Sequence, residues 1–126
     1  MKKVLIISTS LKPNANSEIL AHETERGAKD AGHNVEFVTL KDKDIKFCKG
    51  CLACQKLGKC VIDDDANIIT EKMKNADVII WATPVYYYEM AGQMKTMIDR
   101  ANSLFSANYG FREVYVIATA ADNSDG

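Results

Sequence analysis

Apolar positions fall into four short runs separated by longer stretches of helical pattern. Val4–Ile7 and Val78–Ala82 are apolar on both faces, as expected of central strands in a parallel sheet covered on each side. Val35–Leu40 contains polar residues among its apolar ones, so we expect it at a sheet edge. Val114–Thr119 is predicted to be a fourth strand.

Three helices are predicted between these strands. Ser17–Gly32 carries mostly small residues at helical spacing, which would let the helix lie close to a sheet: Leu20, Thr24, Gly27, Ala28 and Ala31. A second helix begins at Asp64 or Asp65, and its buried positions are Ile69, Met73 and Ala76. The third, Gly92–Phe105, has its apolar stripe at Met94, Met97, Ile98, Ala101, Leu104 and Phe105.

The alternation of strand and helix predicts an α/β domain with a doubly wound parallel sheet. The strand order would be 2-1-3-4, as in a flavodoxin-like fold, with the fifth strand and its flanking helices missing. We therefore expect residues 1–126 to form a single domain, truncated at its C-terminal end. Part of one sheet face would then be open and the fourth strand an exposed edge, unless a longer chain or a partner subunit covers them.

Charge and hydropathy exclude several classes of partner. The 16 basic and 17 acidic residues nearly cancel, so we expect neither nucleic acid nor an anionic membrane surface as a partner. The apolar runs are far too short to span a bilayer. We expect a cytoplasmic protein, in which clustered cysteines more often bind metal than form disulfides.

The loop Ser8–Ser17, after the first strand, has a composition suited to binding an anion. Its short polar side chains precede a helix N-terminus, where backbone N–H groups and the helix dipole favour a phosphate, and Lys12 adds positive charge. It contains no glycine and matches no dinucleotide or P-loop motif. The alternative is an ordinary polar loop with a helix cap at Asn16 or Ser17.

The loop after the third strand is rich in aromatic residues. Pro84 fixes a bend, and Tyr86, Tyr87 and Tyr88 follow. Such rings stack on flat ligands, so tyrosines beside a phosphate loop suit a planar ligand with a phosphate tail, such as flavin mononucleotide (FMN). Alternatively, the rings pack on their own helix or on another subunit.

All of the cysteines lie within one short segment, at Cys48, Cys51, Cys54 and Cys60. This spacing could place four thiolates around a [4Fe-4S] cluster. Structural zinc is a second interpretation, although its ligands usually come as two separated pairs. Free thiols are a third.

Three segments together resemble a known family. Ser10–Ser17 resembles the S-P-R-x-x-x-N-T phosphate loop of NAD(P)H-dependent FMN reductases of the flavodoxin-like superfamily. Thr83–Arg100 resembles their T-P-V-Y segment with its following G-Q-x-K-x-x-x-D-R. Cys48–Cys60, followed by Asp63–Asp65, is similar to the iron–sulfur flavoprotein branch.

The resemblance implies where FMN binds. Its phosphate would be held by Ser10, Lys12, Asn16 and Ser17. Its ring would be lined by Pro84, Val85, Tyr86, Tyr87 and Tyr88. A third flavin loop should follow the fourth strand, at Thr119–Gly126, but does not match clearly. Lys12 also departs from the family arginine, exchanging a bidentate fork for a point charge.

The resemblance further implies an FMN-dependent oxidoreductase that passes electrons from NAD(P)H to an unidentified acceptor, through a cluster at Cys48–Cys60 if one is present. The flavin supplies the chemistry, so no catalytic acid or base is expected among the side chains. A homo-oligomer is expected as well. The alternatives are a non-enzymatic electron carrier and a thiol-based redox module.

Overall fold

The computed structural model describes residues 1–105 and 107–120. Its strands are β1 (Lys3–Ser8), β2 (Asn34–Thr39), β3 (Val78–Tyr86), β4 (Glu89–Met90) and β5 (Glu113–Thr119). Its helices are α1 (Asn16–Asp30), α2 (Cys54–Leu57), α3 (Asp65–Lys74) and α4 (Gly92–Arg100), and α4 continues into a 3-10 turn at Ala101–Leu104.

The main sheet is parallel, with the strand order β2-β1-β3-β5. β1 lies between β2 and β3, with Val4 opposite both Val35 and Val78. β3 continues the sheet to β5, with Ile80 opposite Tyr115. The α/β fold and the predicted strand order 2-1-3-4 are therefore confirmed, with β5 as the fourth parallel strand.

The short strand β4 was not predicted. β3 runs past the expected end at Ala82 as far as Tyr86, then turns and pairs antiparallel with β4, Val85 opposite Met90. Because only two residues pair on each strand, no alternation of apolar and polar positions could show this hairpin in the sequence.

The two faces of the sheet are covered unequally. On one face, Leu5, Ile7, Ile79 and Trp81 pack against α3 and α4 in the larger core cluster. On the other face, Ala21 of α1 is the only helical residue of the described chain in the buried cluster, packed with Val4, Ile6, Val78, Ile80 and Ala82. Helix α1 thus lies flat on the sheet through a small side chain.

The predicted buried stripe of α1 is wrong in detail. Ala21 is fully buried, whereas Leu20 is 47% exposed and Gly27 and Ala31 also face outward. The buried residues of α1 are Ser17 and Ala21. Because one of them is a serine, a search for apolar residues at helical spacing identifies the wrong face of the helix. The helix nevertheless approaches the sheet through a small residue, as expected, and that residue is Ala21.

The third helix is shorter than predicted. α4 ends at Arg100 rather than Phe105, and the following 3-10 turn rotates Phe105 out of the stripe, leaving it 80% exposed. Met94, Met97 and Leu104 are buried as expected. Arg100 is buried among them, which the apolar pattern did not predict.

Strand β5 is an exposed edge within the described residues. Val114, Tyr115 and Val116 are each more than half exposed. This agrees with the expectation that the fourth strand is an exposed edge. Residues 121–126, which include most of the expected third flavin loop and a predicted polar tail, lie outside the described residues. In the part of the chain that is described, no helix has the length and apolarity needed to cross a bilayer.

Overpacking at Ala21 tests the position of α1. Ala21→Leu should lower the free energy of unfolding by about 1–3 kcal/mol because there is no room for three extra carbons between helix and sheet. Leu20→Ala on the exposed side is the control, with an expected change of about 0.5 kcal/mol or less. Urea unfolding followed by circular dichroism measures both. A larger loss for Leu20→Ala would contradict this packing.

Candidate functional site

A cavity of about 260 Å³ lies at the carboxyl ends of β1, β3 and β5. It is lined by Ser10, Lys12, Asn14, Ala15, Asn16, Pro84, Val85, Tyr86, Thr119 and Ala120. The structure thus brings together most of the predicted flavin contacts from three separate loops. Among the described residues that line the cavity, none is a carboxylate, and Lys12 and the N-terminal end of the α1 dipole contribute positive charge.

The loop after β1 is anchored to the neighbouring strand. The backbone N–H and the hydroxyl of Thr9 both donate to the carbonyl of Ala82, each at 2.9 Å. The carbonyl of Thr9 accepts a bond from Gln93 Nε2 at 2.7 Å. Ser10 Oγ then accepts from the backbone N–H of Lys12 at 3.2 Å, which turns the chain toward α1.

The N-terminus of α1 is left free for a ligand. The helix begins at Asn16 after Ala15, and no side chain caps it, so the alternative of a cap at Asn16 or Ser17 is wrong. Ser17 Oγ is buried and has no hydrogen-bond partner among the described residues. An orphaned hydroxyl at an uncapped helix N-terminus fits the phosphate of FMN in donor type and in electrostatics.

The loop after β3 is a tight hairpin. Its buried Thr83 hydroxyl accepts from the N–H of Ala91 at 3.1 Å and donates to the carbonyl of Pro84 at 2.8 Å. At the tip, Tyr87 and Tyr88 have φ values of 49° and 66°. Two successive residues with positive φ are the pattern of a type I′ turn, which glycine and asparagine adopt far more readily than tyrosine.

The tyrosines separate into two groups. Tyr86 lines the cavity, whereas Tyr87 and Tyr88 are 94% and 88% exposed and lie outside its lining. Their rings contact each other edge-on, with centroids 5.7 Å apart. A flavin contact stays a prediction for all three tyrosines, and only Tyr86 lies at the cavity.

A larger groove of the described chain lies elsewhere. It measures about 690 Å³ and is formed by the amino-terminal parts of β1 and β2 together with α3. Its lining mixes both signs of charge, including Lys3, Glu36, Glu71 and Lys72. Ligands of doubly wound sheets bind at the opposite, carboxyl edge, where the cavity of about 260 Å³ lies, so the smaller cavity is the candidate ligand site.

The four cysteines line a single cavity between the cysteine segment and the end of α4. Cys54 is buried at the start of α2, Cys60 is half-buried, and Cys48 and Cys51 are exposed. The cavity measures about 20 Å³, room for roughly one water molecule. Within the described ranges, no three or more His, Cys, Asp or Glu side chains are arranged to hold a metal ion.

Two polar hydrogens already point at these sulfurs. The backbone N–H of Gly50 contacts Cys48 Sγ at 3.4 Å, and Asn102 Nδ2 contacts Cys54 Sγ at 3.8 Å. The four thiols match the ligands of an iron–sulfur cluster in number and chemistry.

A buried ion pair closes the base of the cysteine segment. Arg100 Nη1 donates to Asp64 Oδ2 at 2.6 Å, and both side chains are fully buried. Burial alone would raise the pKa of Asp64, but bonds from Arg100 and from the N–H groups of Lys46 and Ala66 hold it below its usual range. Burial likewise opposes the charge of Arg100, while Asp64 and Cys60 raise its pKa.

A protein-family comparison identifies the chain. The family described as NADPH-dependent FMN reductase matches residues 2–126. The chain belongs to this family. FMN, predicted from the resemblance, is the flavin that the family description names.

Relatives of this FMN reductase family member include iron–sulfur flavoproteins. One from Methanocaldococcus jannaschii is 40% identical over 102 residues, covering 81% of this chain and 53% of the relative. One from Archaeoglobus fulgidus is 42% identical over 95 residues, covering 75% and 45%. A third, from Methanosarcina thermophila, is 36% identical over 110 residues, covering 87% and 58%. The chain spans about half the length of these curated relatives.

Solved structures share the fold. An NAD(P)H:quinone oxidoreductase from Methanothermobacter marburgensis superposes with a TM-score of 0.76 at 14% identity, covering 98% of this chain and 69% of that one. An azoreductase from Bacillus anthracis also gives 0.76 at 15% identity, covering 100% and 72%. At such low identity the likeness shows the α/β fold alone.

Sequence reasoning missed several residues that build the two sites. Thr9 and Thr83 are buried, and their hydroxyls fix the loops after β1 and β3, while Gln93 bonds the loop after β1. Asp64 was predicted as a helix cap, which the bond from the Ala66 N–H confirms, but its pairing with Arg100 was not foreseen. The sequence did contain one signal for this ion pair, the arginine within the apolar stripe of α4, because a buried charge needs a partner.

Replacing the two tip tyrosines should relieve backbone strain. The double variant Tyr87→Asn/Tyr88→Gly suits the type I′ turn and should raise the free energy of unfolding by about 1 kcal/mol or more. Thermal or urea unfolding without FMN measures this. The control, Phe47→Asn, removes a similarly exposed aromatic ring from another loop and should change that free energy by about 0.5 kcal/mol or less. A loss of stability in the tip variant would contradict the turn assignment.

Proposed function

We propose that this chain is the FMN-binding domain of an oxidoreductase that passes electrons from NAD(P)H through FMN to an acceptor. The observation that carries the proposal is the convergence of three loops on one cavity beside the uncapped N-terminus of α1. Membership of the FMN reductase family supports it. Because the chain covers about half of its curated relatives, the activity of the whole protein is part of the proposal.

The phosphate of FMN would bind at the start of α1. Ser10 and Ser17 lie on either side of the loop and are both fully buried, and Ser17 Oγ lacks a partner in the described structure. Lys12 and Asn16 line the cavity mouth and are exposed, so they can reach the dianion from the solvent side. Burial of an unpaired hydroxyl costs free energy that a bound phosphate oxygen would recover.

The isoalloxazine ring would lie against the loop after β3. Pro84 and Val85 are half-buried and rigidly held through Thr83, while the more exposed Tyr86 adds an aromatic wall. Thr119 and Ala120 line the far side of the cavity. When bound, FMN supplies hydride acceptance and electron transfer, and the residues around it bind and orient it.

We propose further that Cys48, Cys51, Cys54 and Cys60 hold a [4Fe-4S] cluster. Support comes from the shared cavity, from the two hydrogen-bond donors to sulfur, and from the similarity of the chain to iron–sulfur flavoproteins. Iron and acid-labile sulfide analysis of anaerobically prepared protein distinguishes the three interpretations. Zinc without sulfide, or free thiols without metal, would overturn this assignment.

The truncated domain and a homo-oligomer also remain proposals. The exposed apolar residues Val114 and Val116 of β5, and Ile19 and Leu20 of α1, are consistent with cover by further polypeptide or by a second copy. Sedimentation of a monomer at every protein concentration would count against the oligomer.

Removing the orphaned hydroxyl should affect binding but not folding. Ser17→Ala should leave the unfolding free energy of the FMN-free protein unchanged or raised, because the hydroxyl has no bond to lose. The FMN dissociation constant should rise about tenfold or more, since a hydrogen bond to a charged group is worth roughly 1.5–3 kcal/mol. Quenching of flavin fluorescence measures the affinity.

Thr24→Ala provides the matched control. Its hydroxyl lies on the same helix, about two turns beyond Ser17 and so away from the helix N-terminus, and it bonds the carbonyl of Leu20. FMN affinity should stay within twofold of the unmodified protein. If Ser17→Ala binds FMN as well as the control does, the phosphate site is misplaced.

Nicotinamide oxidation tests the activity. The FMN-loaded protein should oxidise NADH or NADPH in the presence of an artificial acceptor, followed by the loss of absorbance of the reduced nicotinamide. Ser17→Ala should lower the rate at limiting FMN and recover it at saturating FMN. A protein that binds FMN but oxidises neither nicotinamide would instead be a non-enzymatic electron carrier. One that does not retain FMN would favour the thiol-based module.

A further inference from the structure

Arg100 is a charged side chain buried in an otherwise apolar helix face. It lies at the last position of α4, between the buried residues Met97 and Leu104. A charge in such a place is costly unless every donor is paired, and an apolar replacement of such an ion pair is often neutral or stabilising. Stability alone therefore does not explain an arginine at this position.

The contacts of Arg100 join the two ends of the cysteine segment. Nη1 donates to the carbonyl of Lys46 at 2.9 Å, just before Cys48. Nη2 donates to the carbonyl of Ile62 at 3.0 Å, just after Cys60. The guanidinium therefore bridges the chain entering the segment and the chain leaving it.

Asp64 completes the same bridge. Its Oδ2 accepts from Arg100 and from the N–H of Lys46 at 2.8 Å, and its Oδ1 accepts from the N–H of Ala66 at 3.0 Å. Asn67 adds a bond to the carbonyl of Ile62 at 2.8 Å. The entry, the exit and the start of α3 are thus fixed to one buried ion pair.

Arg100 also lines the cavity that the four cysteines share. Its Nε is buried and has no hydrogen-bond partner within residues 1–105 and 107–120. An unpaired buried N–H calls for an acceptor. A sulfur atom of a group held by the thiols would be such an acceptor, beside the contact that Asn102 already makes to Cys54.

We propose that Arg100, held by Asp64, is a positioning residue that closes the cysteine segment so that its four thiols face one cavity, and that its Nε–H donates to sulfur of the bound centre. The second half rests on the proposed cluster. The planar guanidinium of Arg100 is essential to this role. A lysine has a single ammonium group, which cannot bond the carbonyls of Lys46 and Ile62 and the carboxylate of Asp64 at the same time.

The test compares Arg100→Lys and Arg100→Gln/Asp64→Asn with Arg26→Gln, an exposed arginine of α1 paired with Glu23. The double variant removes both charges together, so no unpaired charge remains buried. Each protein is checked for folding by circular dichroism and for FMN affinity. Each is then treated anaerobically with iodoacetamide, and the alkylation rate of every cysteine is read by mass spectrometry.

Alkylation of the buried Cys54 should be about tenfold faster or more in both Arg100 variants, with FMN affinity within twofold of the unmodified protein. The control should match the unmodified protein in both measurements. Unchanged protection of Cys54 in folded Arg100 variants would overturn the positioning role. A parallel loss of FMN affinity would also overturn it, by showing a general collapse.

Anaerobic reconstitution with iron and sulfide tests the donor to sulfur. Both Arg100 variants should bind at most half as much iron, and the cluster that forms should have a lower midpoint potential, because a hydrogen bond to its sulfur is lost. Equal iron content and potential would overturn this part. If the unmodified protein binds FMN but takes up no cluster, the sulfur contact is wrong while the flavin proposal stands.

Discussion

The pairing of β1 with β3 determines both the fold and the place of the cavity proposed to bind FMN. The two strands run parallel and end at the same edge, and Thr9 extends the pairing by donating twice to the carbonyl of Ala82. The loops that follow them must therefore leave the sheet side by side. One carries the start of α1 and the other carries Pro84 and Tyr86, so a phosphate site and an aromatic wall become neighbours. Neither loop could form the cavity alone.

Helix α4 connects this edge to the cysteine segment. Its first turn bonds the loop after β1 through Gln93, and its last residue, Arg100, bonds both ends of the cysteine segment. The two residues are seven positions apart, which is about 10 Å along a helix axis. Because the helix is rigid and buried along one side, the separation between the flavin edge and the thiols is set by its length. Electron transfer between two centres would benefit from such a fixed spacing.

Several local features cost free energy without an evident return in the protein alone. Ser17 buries an unpaired hydroxyl, Arg100 buries an unpaired Nε–H, and Tyr87 and Tyr88 adopt a left-handed backbone while fully exposing their rings. Such features are unusual in a structure selected only for stability. They occur at the three places where the chain is expected to meet something else: a phosphate, a sulfur centre and the surface beside the flavin ring.

The sequence by itself determined the parallel sheet, its strand order and the loops that meet at its edge, because continuous apolar runs and crossover connections leave few alternatives. It also identified the cysteine segment, since spacing along the chain limits which thiols can converge. Only the tertiary structure decided which face of α1 is buried, where α4 ends and how Arg100 pairs with Asp64. These depend on contacts between residues far apart in the chain, 36 positions in the case of that ion pair. Local periodicity carries no information about such contacts. A charged residue on an apolar stripe therefore indicates that it has a partner, but only the folded structure shows that the partner of Arg100 is Asp64.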